Sequence, residues 1–168
     1  MSDTNDTPGT IAASAAGIPF EVMHTQRARS AEESAGFQGI ALGQLLRTIV
    51  VRRGADDYVF VLVPGGRRID WTKLRTHLGV RRISLPDKDE ALDATGYERG
   101  AITPFGSSHA WPVIADAAVG AAGDPVAIGG GAHGVNIHVA TADLVRATDA
   151  TVADVTEPEP EPEPESEP

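Results

Sequence analysis

Apolar and polar positions along this chain follow two periods, and the changes of period divide it into short elements. Phe20-Glu-Val-Met-His24 has the two-residue alternation of a strand. Leu45–Arg52 (LLRTIVVR) and Tyr58–Val63 (YVFVLV) are β-branched apolar runs separated by a stretch rich in Gly and Asp, which predicts a hairpin. Val80–Ser84, Trp111–Ala115, Val126–Ile128, Val135–Val139 and Thr151–Val155 read as further strands. Between them lie helical signals. Thr10–Ala16 is Ala-rich and stopped by Gly17 and Pro19. Ser30 and Glu33 have capping-box spacing, predicting a helix to about Ala35 that ends at Gly36. Asp70 caps a helix over Trp71–His77, closed by Gly79. Pro86–Ala94 carries acids in its first turns, where the helix dipole favours them, and Gly96 closes it. Thr141 opens a last helix through Ala147. The elements interleave without a βαβ rhythm and without a repeat. The predicted class is α+β: a mixed, partly closed β-barrel-like sheet with short helices around it.

Length and composition narrow this picture. The chain has 168 residues and 41% apolar content, enough for one domain and its extensions. No apolar run approaches the ~20 residues of a spanning helix. The N-terminus is acidic and polar, and cysteine is absent. Disulfides, zinc–thiolate sites and cysteine nucleophiles are thereby excluded. A soluble cytoplasmic protein is expected, with no membrane partner and no secretory signal. Residues 1–9 are expected to be loose, residues 10–156 to form the domain, and residues 157–168 to be a disordered tail. That tail, EPEPEPEPESEP, holds six of the 24 acids. Alternating proline and repelling carboxylates deny it a core.

The net charge of −10 hides a segment of opposite sign. Between Arg47 and Arg82, nine basic residues face only Asp56, Asp57 and Asp70, a local balance of +6. Eight of the nine are arginines, suited to planar contact with phosphate. The pattern fits a local anionic partner rather than general nucleic-acid affinity, and it equally fits solvated strand ends and helix faces; no DNA partner is expected.

Two loops stand out. Gly96–Gly106 contains three glycines, Pro104 and the hydroxyl of Thr103. Gly129-Gly-Gly-Ala-His-Gly134 lies between two strands. Such stretches present backbone amides to an anion or a carbonyl, and they also serve as plain connections and bulged turns. The second has neither the spacing of a dinucleotide-binding fingerprint nor the ending of a P-loop. The five histidines show no metal-ligand spacing, so no metal or other cofactor is expected. Ser107-Ser108-His109 lacks a nucleophile elbow.

The order of these motifs resembles a known family. Ile18-Pro-Phe20, Leu45–Val50, Gly96-Tyr97, Gly100-Ala-Ile-Thr-Pro-Phe-Gly106, Gly130-Gly-Ala-His-Gly134 and the closing Asp143-Leu and Thr151–Val155 follow the pattern of the YbaK/ProX family. These are aminoacyl-tRNA deacylases related to the editing domain of bacterial prolyl-tRNA synthetases. The resemblance implies a trans-acting hydrolase of the ester in tRNA mischarged with a small amino acid such as Cys or Ala. It places the catalytic positions at Arg47, Gly100, Thr103 and Pro104. Ile102, Phe105, Gly129, Gly130, Gly131, His133 and Gly134 become substrate-binding residues. The implied partner is the aminoacyl-tRNA 3′ end, with a prolyl- or cysteinyl-tRNA synthetase as a second. The family's lysine, in Lys-Thr-Leu-Val, falls on Arg47 in Arg-Thr-Ile-Val. Arginine can hold a phosphate or a carbonyl but cannot give up its proton. The other reading is therefore a catalytically silent module binding an aminoacyl-tRNA end or a synthetase.

Overall fold

The computed structural model describes residues 7–160. In chain order its elements are α1 (Pro8–Ala15), β1 (Phe20–His24), α2 (Ala31–Gln38), β2 (Leu46–Gly54), β3 (Asp57–Pro64) and β4 (Arg67–Ile69). They continue with α3 (Trp71–Leu78), α4 (Lys88–Thr95), β5 (Val113–Asp116), β6 (Val126–Ala132), β7 (Val135–Val139), α5 (Thr141–Thr148), β8 (Thr151–Ala153) and β9 (Thr156–Pro158).

The expected hairpin forms: β2 and β3 pair antiparallel, with Arg47 opposite Val63 and Arg52 opposite Tyr58. On its other edge β3 pairs parallel with β5, and β5 parallel with β8, giving the order β2-β3-β5-β8. A second sheet has the order β1-β7-β6. A single parallel bridge between Leu45 and Ala127 links the two. The result is a mixed α+β arrangement, and among the described residues the strands do not close into a ring.

β3 explains why its sequence is apolar without alternation. Its side chains enter two clusters on opposite faces of the sheet. Phe60 and Leu62 pack with Leu46, Val50, Val126, Ile128, Ile137 and Leu144. Val59, Val61 and Val63 pack with Val51, Ile69, Leu74 and Val155. Each such side chain, fully buried, contributes about 1.5–3 kcal/mol. Asp116, buried at the end of β5, ties the chain's last strands to this frame. Its carboxylate accepts from Ala118 N at 2.9 Å and Val155 N at 3.0 Å.

Local capping chemistry acts as read. Ser30 accepts from Glu33 N at 3.0 Å and Asp70 from Lys73 N at 3.1 Å. Gly79 and Gly96 close their helices in the left-handed conformation. Several boundaries differ. α1 begins at Pro8, because Thr7 caps it and its hydroxyl donates to the Gly130 carbonyl. Residues 7–9 are thus part of the fold, and residues 1–6 lie outside the described residues. α2 runs through Gly36 to Gln38, and Gly39 takes the stop. α4 starts after Asp87, whose carboxylate accepts from Glu90 N at 2.8 Å. Val80–Ser84 is no strand: only Ser84 bridges, to Arg52. Thr141 does not cap α5; its hydroxyl donates to Asp124 at 2.6 Å. Finally, Glu157 and Pro158 belong to β9, paired with Arg68 and Arg67 of β4. Proline is accepted there because β9 has β4 as its one neighbour, leaving an edge that needs no donor. Of the expected tail, residues 161–168 lie outside the described residues.

Candidate functional site

A cavity of about 570 Å³ opens beside the N-terminal half of β2. β2 is an edge strand there, so its backbone and side chains are available to a ligand as well as to the core. The other walls are residues 25–31, the Arg99–Ile102 loop and the turn between β6 and β7. Two of these walls are fixed by glycine. Gly134, at φ +77°, brings its carbonyl to Thr25 N at 2.9 Å, and a Cβ would meet Thr25 O at 2.6 Å. Gly100, at φ +95°, lies so near the His133 ring that a Cβ would stand 3.1 Å from its Cε1. The two glycine loops, some thirty residues apart, therefore meet in one wall.

Six of the residues picked from the sequence line this cavity: Arg47, Gly100, Ile102, Gly129, His133 and Gly134. Five do not. Thr103 is fully buried, with its hydroxyl accepting from Phe105 N at 3.4 Å, so it shapes the loop from inside. Phe105 is a core residue, packed in the cluster around Phe60. Pro104 lies between these two, off the cavity lining. Gly130 turns into the sheet, where a Cβ would stand 2.7 Å from Val135 Cγ1 and 2.9 Å from Val135 O. Gly131 sits against Gly9 N and the Tyr97 ring. These glycines admit Val135, α1 and Tyr97 to close packing.

The lining is electropositive. Arg27, Arg47 and Arg99 stand around it with His133, and none of the described lining residues is an Asp or Glu. Arg47 is exposed and donates through Nη2 to the Arg67 carbonyl at 2.7 Å. Arg99 donates to Pro86 O at 3.3 Å. Polar neutral groups complete the surface: Thr25, Ser30, Ser34, Thr48 and Asn136. The Thr48 hydroxyl is buried and has no hydrogen-bond partner among the described residues. An unpaired buried hydroxyl costs about 1–3 kcal/mol, so a ligand that bonds it recovers that amount.

Residues 25–31 and Ser34 escaped sequence reasoning. Ser30 was legible only as a cap, and nothing in the stretch Thr25–Ala31 reports that β1 delivers it opposite β2. Thr48 and Asn136 sit inside strands whose pattern announces packing. Their one signal is a polar side chain in an otherwise apolar run.

Fold and site together define a small α+β domain with an arginine-rimmed cavity whose remaining lining is partly polar. Residues 25–147 match the aminoacyl-tRNA editing domain family, and the chain belongs to it. It is 31% identical over 96 residues to a proline–tRNA ligase of Thermosipho melanesiensis, a match covering 57% of this chain and 17% of the ligase. The chain therefore spans about a sixth of the length of such relatives. The multifunctional Ser/Thr-tRNA deacylase ProXp-y of Escherichia coli is closer in size: 27% identical over 133 residues, covering 77% of this chain and 80% of that one. Among solved structures, a candidate trans-editing enzyme for prolyl-tRNA synthetase superposes with a TM-score of 0.84 at 23% identity. It covers 94% of this chain and 99% of that one.

Proposed function

We propose that this protein is a trans-acting aminoacyl-tRNA deacylase, hydrolysing the ester of tRNA charged with a small, wrong amino acid. The observation that carries this is the cavity: three arginines and several neutral donors, with no carboxylate among its described lining residues, in a chain of the editing-domain family. The relative of similar length acts on aminoacyl-tRNA as a Ser/Thr-tRNA deacylase, which supports the same substrate class here.

The chemistry asks for little. An aminoacyl ester is activated, so holding it beside water supplies much of the acceleration. Negative charge growing on the carbonyl oxygen needs donors. The amides of Gly100 and Ile102 make no hydrogen bond to another described residue, and we assign them this role. Arg47 carries a fixed positive charge and serves to hold the terminal phosphate. It does not serve as a base. Thr48 Oγ1 is the free buried group for a polar atom of the aminoacyl moiety or the ribose. No imidazole–carboxylate pair lines the cavity among the described residues, and we assign the nucleophilic water to orientation rather than to deprotonation by a protein triad. Such a site works in the cytoplasm, where charged tRNA is made, with a prolyl- or cysteinyl-tRNA synthetase as the expected neighbour.

Single-turnover hydrolysis of Cys-, Ala-, Ser-, Thr- and Pro-charged tRNA tests this against spontaneous decay. Acceleration for one or two small amino acids is expected. A flat panel with enzyme in large excess would replace the reading by that of a silent binding module.

A further inference from the structure

A second concavity, about 480 Å³, lies at the other end of β2. It is lined by Arg52 and Arg53 from the strand, Arg75 from α3, and Arg81, Arg82, Ile83 and Ser84 from the segment beyond α3. Two of the five arginines are paired. Arg52 Nε stands 3.3 Å from Glu90, and Arg53 Nη2 stands 2.9 Å from Asp57. Arg75 donates to the neutral Thr72 hydroxyl at 3.2 Å. Arg81 and Arg82 are exposed, and neither has a carboxylate within ion-pair distance among the described residues. Five guanidinium groups against two carboxylates leave +3 in one groove, on a chain whose net charge is −10. Like charges gathered this way repel, and in a monomer at rest they gain nothing from each other. An arginine fork binds phosphate oxygens in pairs, whereas a groove made for a solvated face has no need of five.

The groove and the cavity share one strand. Arg47, on the cavity, and Arg52, on the groove, are five residues apart on β2, about 17 Å at ~3.4 Å per residue. A polynucleotide whose aminoacylated end enters the cavity must carry its phosphates away from it, first along the single-stranded CCA and then into the duplex. Several phosphates fit within that distance. We propose that the arginine groove is a second RNA-binding site, taking the phosphate backbone of the acceptor stem while the cavity holds the 3′ end. This rests on the deacylase reading for the identity of the RNA, but the groove is tested without any hydrolysis.

The experiment measures binding of an uncharged acceptor-stem hairpin ending in single-stranded CCA, by fluorescence anisotropy across a salt series. Wild type is compared with the double variant Arg81→Gln, Arg82→Gln and with Arg81→Lys, Arg82→Lys. Thermal melts of all three control for folding, and both residues are exposed. The glutamine variant is expected to bind about ten-fold more weakly at low salt, with the slope of log K against log salt reduced by about 2, while the lysine variant keeps the slope. Equal affinity and slope in wild type and the glutamine variant would overturn the proposal. So would a groove that ignores RNA but binds an acidic peptide with the sequence of residues 157–168. An arginine-dependent slope in a protein that hydrolyses no charged tRNA would retain the groove and retire the deacylase reading alone.

Discussion

Gly129 and Gly130 are neighbours on one strand, and alanine at each should fail differently. They lie where the β6–β7 register shifts, between Gly129 and Ala132, and a Cβ on each would meet different surroundings. A Cβ on Gly129 would touch nothing nearer than Ile102 O at 3.5 Å, an ordinary contact, and would project at the cavity lining. A Cβ on Gly130 would stand 2.7 Å from Val135 Cγ1, 2.9 Å from Val135 O and 3.1 Å from Val135 C. Two of those three atoms are backbone of the paired strand β7 and cannot rotate away. Overpacking of this kind costs about 1–3 kcal/mol, and the rigid contacts place it near the upper end. In a chain of 168 residues, about 3 kcal/mol lowers Tm by roughly 6–12 °C. Gly129→Ala should hold Tm within about 2 °C, since surface changes stay within about 0.5 kcal/mol. Its methyl group should lower kcat/KM for the preferred charged tRNA. Calorimetric melts and single-turnover hydrolysis of both variants read the two effects separately. A Gly130→Ala protein melting with wild type, or a Gly129→Ala protein that loses stability but not activity, would refute this division of labour in the turn.

Three further predictions concern the site and its frame. Arg47→Ala removes a fixed cation from the cavity and its bond to Arg67 O, and should raise KM for charged tRNA by roughly 10- to 100-fold, a charge-assisted contact being worth about 1.5–3 kcal/mol; steady-state kinetics checks it, and Arg47→Lys should recover part of the loss. Asp116→Ala strands the buried amide of Val155 and the half-buried amide of Ala118, at a cost of about 3 kcal/mol, seen as a Tm drop of roughly 6–12 °C. His138 is buried against Gln38 at 2.8 Å, and burial pulls its pKa below the ordinary 6.5 despite the opposing field of Glu21. Its folded pKa being depressed, the unfolded chain binds the proton first. The stability it confers is complete above about pH 6.5 and is lost as pH falls from there through the folded value. Urea titrations should show that loss in wild type and its reduction in His138→Gln.

Tests of the site depend on loops, and there sequence and structure part company. The hairpin of β2 and β3 was legible because continuous β-branched runs either side of a short polar turn have few other solutions, and β3 is indeed buried on both faces. The caps at Ser30 and Asp70 and the stops at Gly79 and Gly96 were legible for the same reason: each bond closes within four residues. Glu157 and Pro158 read as tail because their partners, Arg68 and Arg67, lie 89 and 91 residues back and no local pattern announces them.

The chain by itself determined its class, the mixed α+β frame, the concentration of arginine between Arg47 and Arg82, and two glycine loops with shaped backbones. Tertiary structure decided which members of those loops line the cavity. Gly100 and His133 form one wall, while Thr103, Phe105 and Gly130 are buried and Gly131 packs against Gly9 and Tyr97. It also decided that Arg52, Arg53, Arg75, Arg81 and Arg82 converge while Arg47 faces a different cavity. The physical reason is common to both. Composition and spacing fix what a segment can do, because steric and capping preferences act between near neighbours. Which face it turns to a partner is set by strand register, and one residue of register reverses every side chain.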